Sequence, residues 1–142
     1  MAVVIDAENK ISGRLATHIS RKLKDGEEVK VVNAEKAAIS GRKEEVLSNY
    51  QQKYERGSRD FGPHYPKSPE RILKRITRNM ISDTEEGNRQ FSNLKIYLGH
   101  PEEIGEAEDP GTKEGEELKN KNYVKLGEVS KHIGWEPRGE LE

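Results

Sequence analysis

The strongest constraint on this chain lies in its first thirty-three residues, where a strand, a helix and a second strand follow one another without a gap. Ala2–Asp6 (Ala-Val-Val-Ile-Asp) is a short apolar run of the kind a buried strand requires. From Gly13 to Lys24, Leu15, Ile19 and Leu23 recur every fourth position with Ala16 beside them, one apolar stripe on a helix. Ser12 stands where a capping hydroxyl belongs, and Asp25-Gly26 supplies the stop. Val29–Asn33 (Val-Lys-Val-Val-Asn) then reads as the second strand. This is the rhythm of an α/β domain with a largely parallel sheet.

The rhythm continues less regularly. Ala37–Ser40 reads as a short third strand, and Ser40 as the cap of a helix over Lys43–Glu55 with Val46, Leu47, Tyr50 and Tyr54 along its stripe. Ser68, Pro69 and Glu70 open another helix in good order: a capping hydroxyl, proline at the first helical position, an acid at the positive end of the dipole. It is expected to run to about Ile81. A weaker helix over Glu85–Phe91 and a strand over Lys95–Gly99 follow. His100–Asn122 is acidic and almost without apolar residues, so it cannot offset its own ordering entropy. Tyr123–Leu126 reads as an edge strand or an extended arm, and Glu128–Ile133 as one or two helical turns. The expected division is a core domain over 1–100 and an acidic C-terminal extension over 101–142, packed on the core or trailing from it.

Only 31% of the 142 residues are apolar and 36% are charged, so the core must be thin, as with salt-adapted surfaces or in a fold braced by a partner. There is no cysteine, hence no disulfide and no thiolate metal site, and His18, His64, His100 and His132 show no metal-ligand spacing. No apolar run approaches the ~18 residues of a membrane helix. Met1–Asp6 lacks the basic start and long apolar stretch of a secretion signal, which leaves the cytoplasm as the default. The net charge of −1 hides an asymmetry: residues 1–81 hold 17 Lys/Arg against 11 Asp/Glu, a net +6, and residues 82–142 hold 8 against 15, a net −7. A polyanion would meet the first part of the chain and avoid the last.

Three features carry chemistry. Ser12-Gly13-Arg14 and Ser40-Gly41-Arg42 each follow a strand and open a helix, where outward amides, a close-approach glycine and an arginine fork favour an anion. A plain helix cap with a solvated arginine explains either copy alone. In the third helix, Arg71, Lys74, Arg75 and Arg78 fall on one face at ~100° per residue, and Ile72, Leu73, Ile76 and Met80 on the other. A solvated face usually mixes signs, as Lys43-Glu44-Glu45 does; this one does not. The loop leading into it mixes the cations Arg56, Arg59 and Lys67 with the stackable rings Phe61, His64 and Tyr65, the combination that holds irregular RNA. No nucleophile, acid–base pair, metal set or cofactor motif accompanies them, so an enzyme is not expected and no cofactor is called for. The alternative is a small α/β enzyme or binding protein for a nucleotide or phosphorylated metabolite, using the two Ser-Gly-Arg turns.

Four segments in order carry a family resemblance: Ile5-Asp6-Ala7 through Ile11-Ser12-Gly13-Arg14-Leu15-Ala16, Val31-Val32-Asn33-Ala34-Glu35 through Ile39-Ser40-Gly41-Arg42, Gly62-Pro63-His64-Tyr65-Pro66, and Arg75-Ile76-Thr77-Arg78-Asn79-Met80. Over about residues 3–100 the chain resembles the large-subunit ribosomal protein thirteen family, in its archaeal type. The resemblance implies a three-layer α/β/α domain with a four-stranded, mostly parallel sheet. It implies a non-catalytic ribosomal protein whose partners are large-subunit rRNA and neighbouring large-subunit proteins, with no membrane and no small-molecule substrate. Carried over by position, the expected rRNA contacts are Arg14, Arg42, Arg56, Arg59, His64, Tyr65, Lys67, Arg71, Lys74, Arg75 and Arg78. The family's basic continuation after this methionine is replaced here by Ile81-Ser82-Asp83-Thr84-Glu85-Glu86-Gly87, and the acidic stretch beyond His100 has no matched counterpart in the resemblance.

Overall fold

The computed structural model describes residues 2–55, 67–101, 104–108, 110 and 122–135. β1 (Ala2–Asp6), α1 (Ser12–Lys24) and β2 (Glu28–Val32) form the expected strand–helix–strand unit. β1 and β2 run parallel, from Ala2 opposite Glu28 to Asp6 opposite Val32. β4 (Leu94–Ile96) joins the other edge of β2, also parallel, with Leu94 opposite Val29. The sheet order among the described residues is β1-β2-β4. The α/β class therefore holds, but the sheet has three parallel strands rather than the four that the resemblance implies.

The outer edge of β1 shows where a fourth strand would lie. A single residue, Glu108, makes a parallel bridge to Ile5 there. Its N–H donates to the Val4 carbonyl at 2.9 Å, and its carbonyl accepts from the Asp6 N–H at 3.0 Å. Ile104–Glu108 (Ile-Gly-Glu-Ala-Glu) is poor in the β-branched and aromatic residues that would extend the ladder.

The third strand of the sequence, β3 (Ala38–Ser40), stays out of this sheet. It pairs antiparallel with β5 (Tyr123–Lys125), Ile39 opposite Val124. Ala38 is also pegged to the start of α1: its N–H donates to the Lys10 carbonyl at 2.8 Å, and the Ser12 hydroxyl donates to its carbonyl at 2.9 Å. Ser12 is thus drawn away from the expected cap, and Ile11 holds the cap position without a side-chain bond. Ser40 ends β3 instead of capping α2 (Lys43–Glu55); the Val46 N–H donates to the Arg42 carbonyl at 2.9 Å, which places Arg42 at the helix entry. Ser68 does occupy the cap position of α3 (Pro69–Arg78), with extended backbone, but its hydroxyl makes no capping bond.

α3 stops at Arg78, short of Ile81. The Met80 and Ile81 amides bond back to Thr77 and Arg78 at 3.0 and 3.1 Å and turn the chain. α4 (Glu85–Phe91) follows, and here a hydroxyl cap is realised: Thr84 accepts from the Gly87 N–H at 3.1 Å. The last described element is α5 (Leu126–His132).

One core joins these elements. Ile5, Leu15, Ile19, Leu23, Val29, Val31, Ile72 and Leu73 are completely buried, and Val124, Leu126, Val129 and Ile133 from residues 122–135 belong to the same cluster. Each such aliphatic side chain contributes about 1.5–3 kcal/mol on burial. A charged residue sits at the seam. Glu35, in the 3-10 turn Ala34–Lys36, is only 5% exposed. Its carboxylate oxygens lie 3.0 and 3.1 Å from the Gly99 N–H. Gly127 of α5 passes so close that an added Cβ would sit 3.1 Å from the Glu35 carbonyl oxygen. Glu35 thereby ties the exit of β4 to the turn before β3, with α5 laid over it.

Candidate nucleic-acid interface

The site begins with the packing of α3. Pro69, at the first helical position, is buried, and Ile72, Leu73 and Thr77 have no exposure at all. The Thr77 hydroxyl donates to the Leu73 carbonyl at 3.0 Å, so the polar residue on the inner face is paired. α3 packs against α1, β4, the 3-10 turn and α5. Its outer face carries the expected cations: Arg71 and Lys74 are exposed, Arg75 and Arg78 half-buried. Ile76 and Met80, expected inside, are also only half-buried.

The four cations are not equivalent. Arg78 is held by its own chain. Its guanidinium donates to the Ile81 carbonyl at 3.1 Å and to Asn88 Oδ1 at 2.8 Å. It also lies 3.5 Å from Asp83 and 5.4 Å from the centre of the Phe91 ring. The Asp83 side chain is 96% exposed, so that ion pair is weak; the carbonyl, Asn88 and the ring do the holding. Lys74 also lies over this ring, its ammonium 5.5 Å from the ring centre. The acidic stretch after α3 therefore folds back over the C-terminal end of the basic strip, and Arg71 at the N-terminal end stays open to solvent.

The two Ser-Gly-Arg turns come together. Ile11 bridges Ala38 in parallel, and Ser12 bonds Ala38, so the two turns leave neighbouring backbone side by side. Arg14 and Arg42 are both exposed. Lys67 is exposed too, with its ammonium 5.1 Å from the Tyr54 ring centre on α2. Arg56, Arg59, Phe61, His64 and Tyr65 lie outside the described residues. A shallow hollow on α2 is lined by Glu44, Glu45, Ser48 and Asn49; its two carboxylates repel a phosphorylated ligand. Among the described residues no cluster of His, Asp and Glu is arranged to hold a metal, and no helix is long and apolar enough to cross a membrane.

One row of cations escapes a reading that looks for apolar stripes. On α1, Arg14, Arg21 and Lys24 are exposed, with Thr17 between them. The spacing i, i+3, i+7, i+10 places all four on one face, opposite Leu15, Ile19 and Leu23. That spacing was the signal available in the sequence. Beside this row the His18 pKa is lowered from 6.5, first by burial, then by Lys22 and Arg21 against the opposing pull of Glu108.

Residues 1–103 match the family model described as ribosomal protein L13. This chain belongs to the ribosomal protein L13 family. It is 40% identical to the large ribosomal subunit protein uL13 of Archaeoglobus fulgidus, over 93% of this chain and 87% of the relative. Identity to the protein of that name from Natronomonas pharaonis is 44% over 93% of this chain and 90% of the relative. For Methanosarcina barkeri it is 43% over 92% and 96%. The archaeal type expected from the resemblance is thus found. These alignments cover too much of the chain to stop at residue 103, so most of the acidic stretch expected to lack a counterpart is aligned in these L13 relatives.

Proposed function

We propose that this L13-family chain grips large-subunit rRNA through the outer face of α3, with the two adjoining Ser-Gly-Arg turns and the loop before α3 extending the contact. As a family member it is a structural constituent of the large ribosomal subunit and not an enzyme. The observation that carries the reading is the contrast across α3: Pro69, Ile72, Leu73 and Thr77 buried on one face, and Arg71, Lys74 and Arg75 presented on the other from a helix fixed on several sides. Such a platform holds cations at fixed spacing, where they displace condensed counterions from phosphates. Arg14, Arg42 and Lys67 flank it. Arg56, Arg59, His64 and Tyr65 are assigned to the same surface from the loop chemistry alone. Arg78 belongs to the set as the residue that anchors the platform's end, since its donors are largely engaged within the chain. Neighbouring large-subunit proteins are the partners proposed for the acidic 101–142 region, with 1–100 carrying the RNA contacts.

The test is a salt titration of binding to a large-subunit rRNA fragment. Arg71→Glu combined with Arg75→Glu is expected to flatten the salt dependence and to block incorporation into subunits. Affinity that is flat between low and moderate salt for the parent protein removes the reading.

A further inference from the structure

The row on α1 that the α3 platform does not use is the strongest charged surface left over. Arg14, Arg21 and Lys24 are exposed, and among the described residues none of the three side chains makes an ion pair, hydrogen bond or ring contact. The acids nearest in sequence are placed elsewhere: Glu27 faces Lys22 at 3.8 Å, and Asp25 lies beyond the helix end. Lys22 is itself off the row.

The row adjoins the C-terminal end of α3, the end over which α4 folds, and α4 packs on α1 as well. α1 and α3 pack against each other. At their seam the Thr17 hydroxyl lies 3.5 Å from Met80 Sδ, at the turn that ends α3. Thr17 is the member of the row between Arg14 and Arg21, so the α1 cations border the end of α3, where Lys74 and Arg78 meet Phe91. The lowered His18 pKa beside the row comes first from burial and then from Lys22, with Glu108 opposing and Arg21 adding to it.

Spacing selects the kind of anion. Arg14 and Arg21 are seven residues apart, about 10 Å along the helix axis, and Lys24 adds about 5 Å. A free phosphate or a nucleotide reaches one of these positions. A nucleic-acid strand, whose phosphates repeat along its whole length, reaches all three.

We infer that Arg14, Arg21 and Lys24 of α1 form a second phosphate-binding row, contiguous with α3, so that one sugar-phosphate backbone of the rRNA lies across both helices. The inference rests on the reading of α3 above and adds Arg21 and Lys24 to the contact set. Contact with bases is not needed: the row fixes the orientation of the protein on the RNA, as backbone contacts do.

The experiment uses the full chain carrying Arg21→Gln with Lys24→Gln, leaving Arg14 and the α3 cations in place. An unchanged melting temperature is expected, since both side chains are exposed. Binding to a large-subunit rRNA fragment is followed across a salt series. Two lost phosphate contacts should reduce the slope of log affinity against log salt by about 1.4–1.8, and low-salt affinity by about 10-fold. A charge-keeping pair, Arg21→Lys with Lys24→Arg, should restore both. Slope and affinity equal to the parent's, in an assay where Arg71→Glu with Arg75→Glu weakens binding, would overturn the α1 row and leave the α3 reading intact. Loss in the charge-keeping pair as well would also overturn it, because the cause would then be helix structure and not charge. A parent protein with no salt-dependent binding removes both readings together.

Discussion

α2 and α3 are consecutive in sequence among the described elements, and they are built on opposite plans. α2 is the longer, yet among its described side chains it buries only Val46 and Tyr50, with Leu47 and Tyr54 half-covered. Its partners are β5 and α5. Its outer face mixes Lys43, Glu44, Glu45 and Lys53, and Lys43 already faces Glu128 at 3.9 Å. α3 is three residues shorter and buries Pro69, Ile72, Leu73 and Thr77 against several elements, and beyond its first turn its outer face is cationic. A mixed face neutralises itself and needs only water. A single-sign face repels itself unless a counter-charge arrives, and the fold holds it in place by a deeper anchor.

The contrast can be broken first at the anchor. Leu73→Ala should cost about 3 kcal/mol and Val46→Ala about 1–2 kcal/mol, read from denaturant unfolding. Equal losses would mean that α3 is no better seated than α2. Next comes charge. Arg71→Glu with Arg75→Glu should weaken rRNA-fragment binding by about 100-fold at moderate salt, and Lys43→Glu with Lys53→Glu by less than about 3-fold. Comparable losses from the two pairs would show that net charge, and not the face of α3, governs binding.

Two smaller effects sharpen the picture at the end of α3. A Cβ on Gly87 would run into the Ser82 carbonyl oxygen, so Gly87→Ala should destabilise the fold by about 2 kcal/mol and loosen the acidic turn from the basic strip. A shift in thermal melting reads this directly. Arg78→Gln should cost about 1 kcal/mol of stability through lost bonds to Ile81 and Asn88, and leave the salt slope of RNA binding almost unchanged. A slope reduced as much as by losing Arg71 would return Arg78 to the direct contacts.

The local periodicities were readable. Leu15, Ile19 and Leu23 are each fully buried, as their four-residue spacing predicts, and β1, α1 and β2 fall where the apolar runs place them. What failed were features decided by distant residues. Ser12 looks like a cap because its neighbours are helical, yet its hydroxyl goes to Ala38, twenty-six residues on. β3 looks like a member of the parallel sheet, but three residues cannot announce a partner that lies at Tyr123–Lys125. At the candidate site the basic face of α3 was legible from angular spacing alone. That Arg78 is engaged by Asn88 was not, since it depends on where the chain turns after Met80. Arg21 and Lys24 lie on the face of α1 opposite its apolar stripe, where the recurrence of apolar residues carries no signal. Glu35 gave no sign of burial, because a carboxylate is retained inside only where a donor such as the Gly99 N–H meets it.

The pairing of β3 with β5 also sets an order of events during synthesis. Ser40 is translated some eighty residues before Tyr123, its partner across the ribbon. At typical elongation rates of ~5–20 residues per second, the strand waits roughly 4–16 s with an open edge, and Leu126 and Val129 reach the hydrophobic cluster later still. A nascent chain halted between those points would expose a ready template for a stray strand. Synthesis past Tyr123–Lys125, and not mere emergence of the basic half, is therefore what closes the β3 edge.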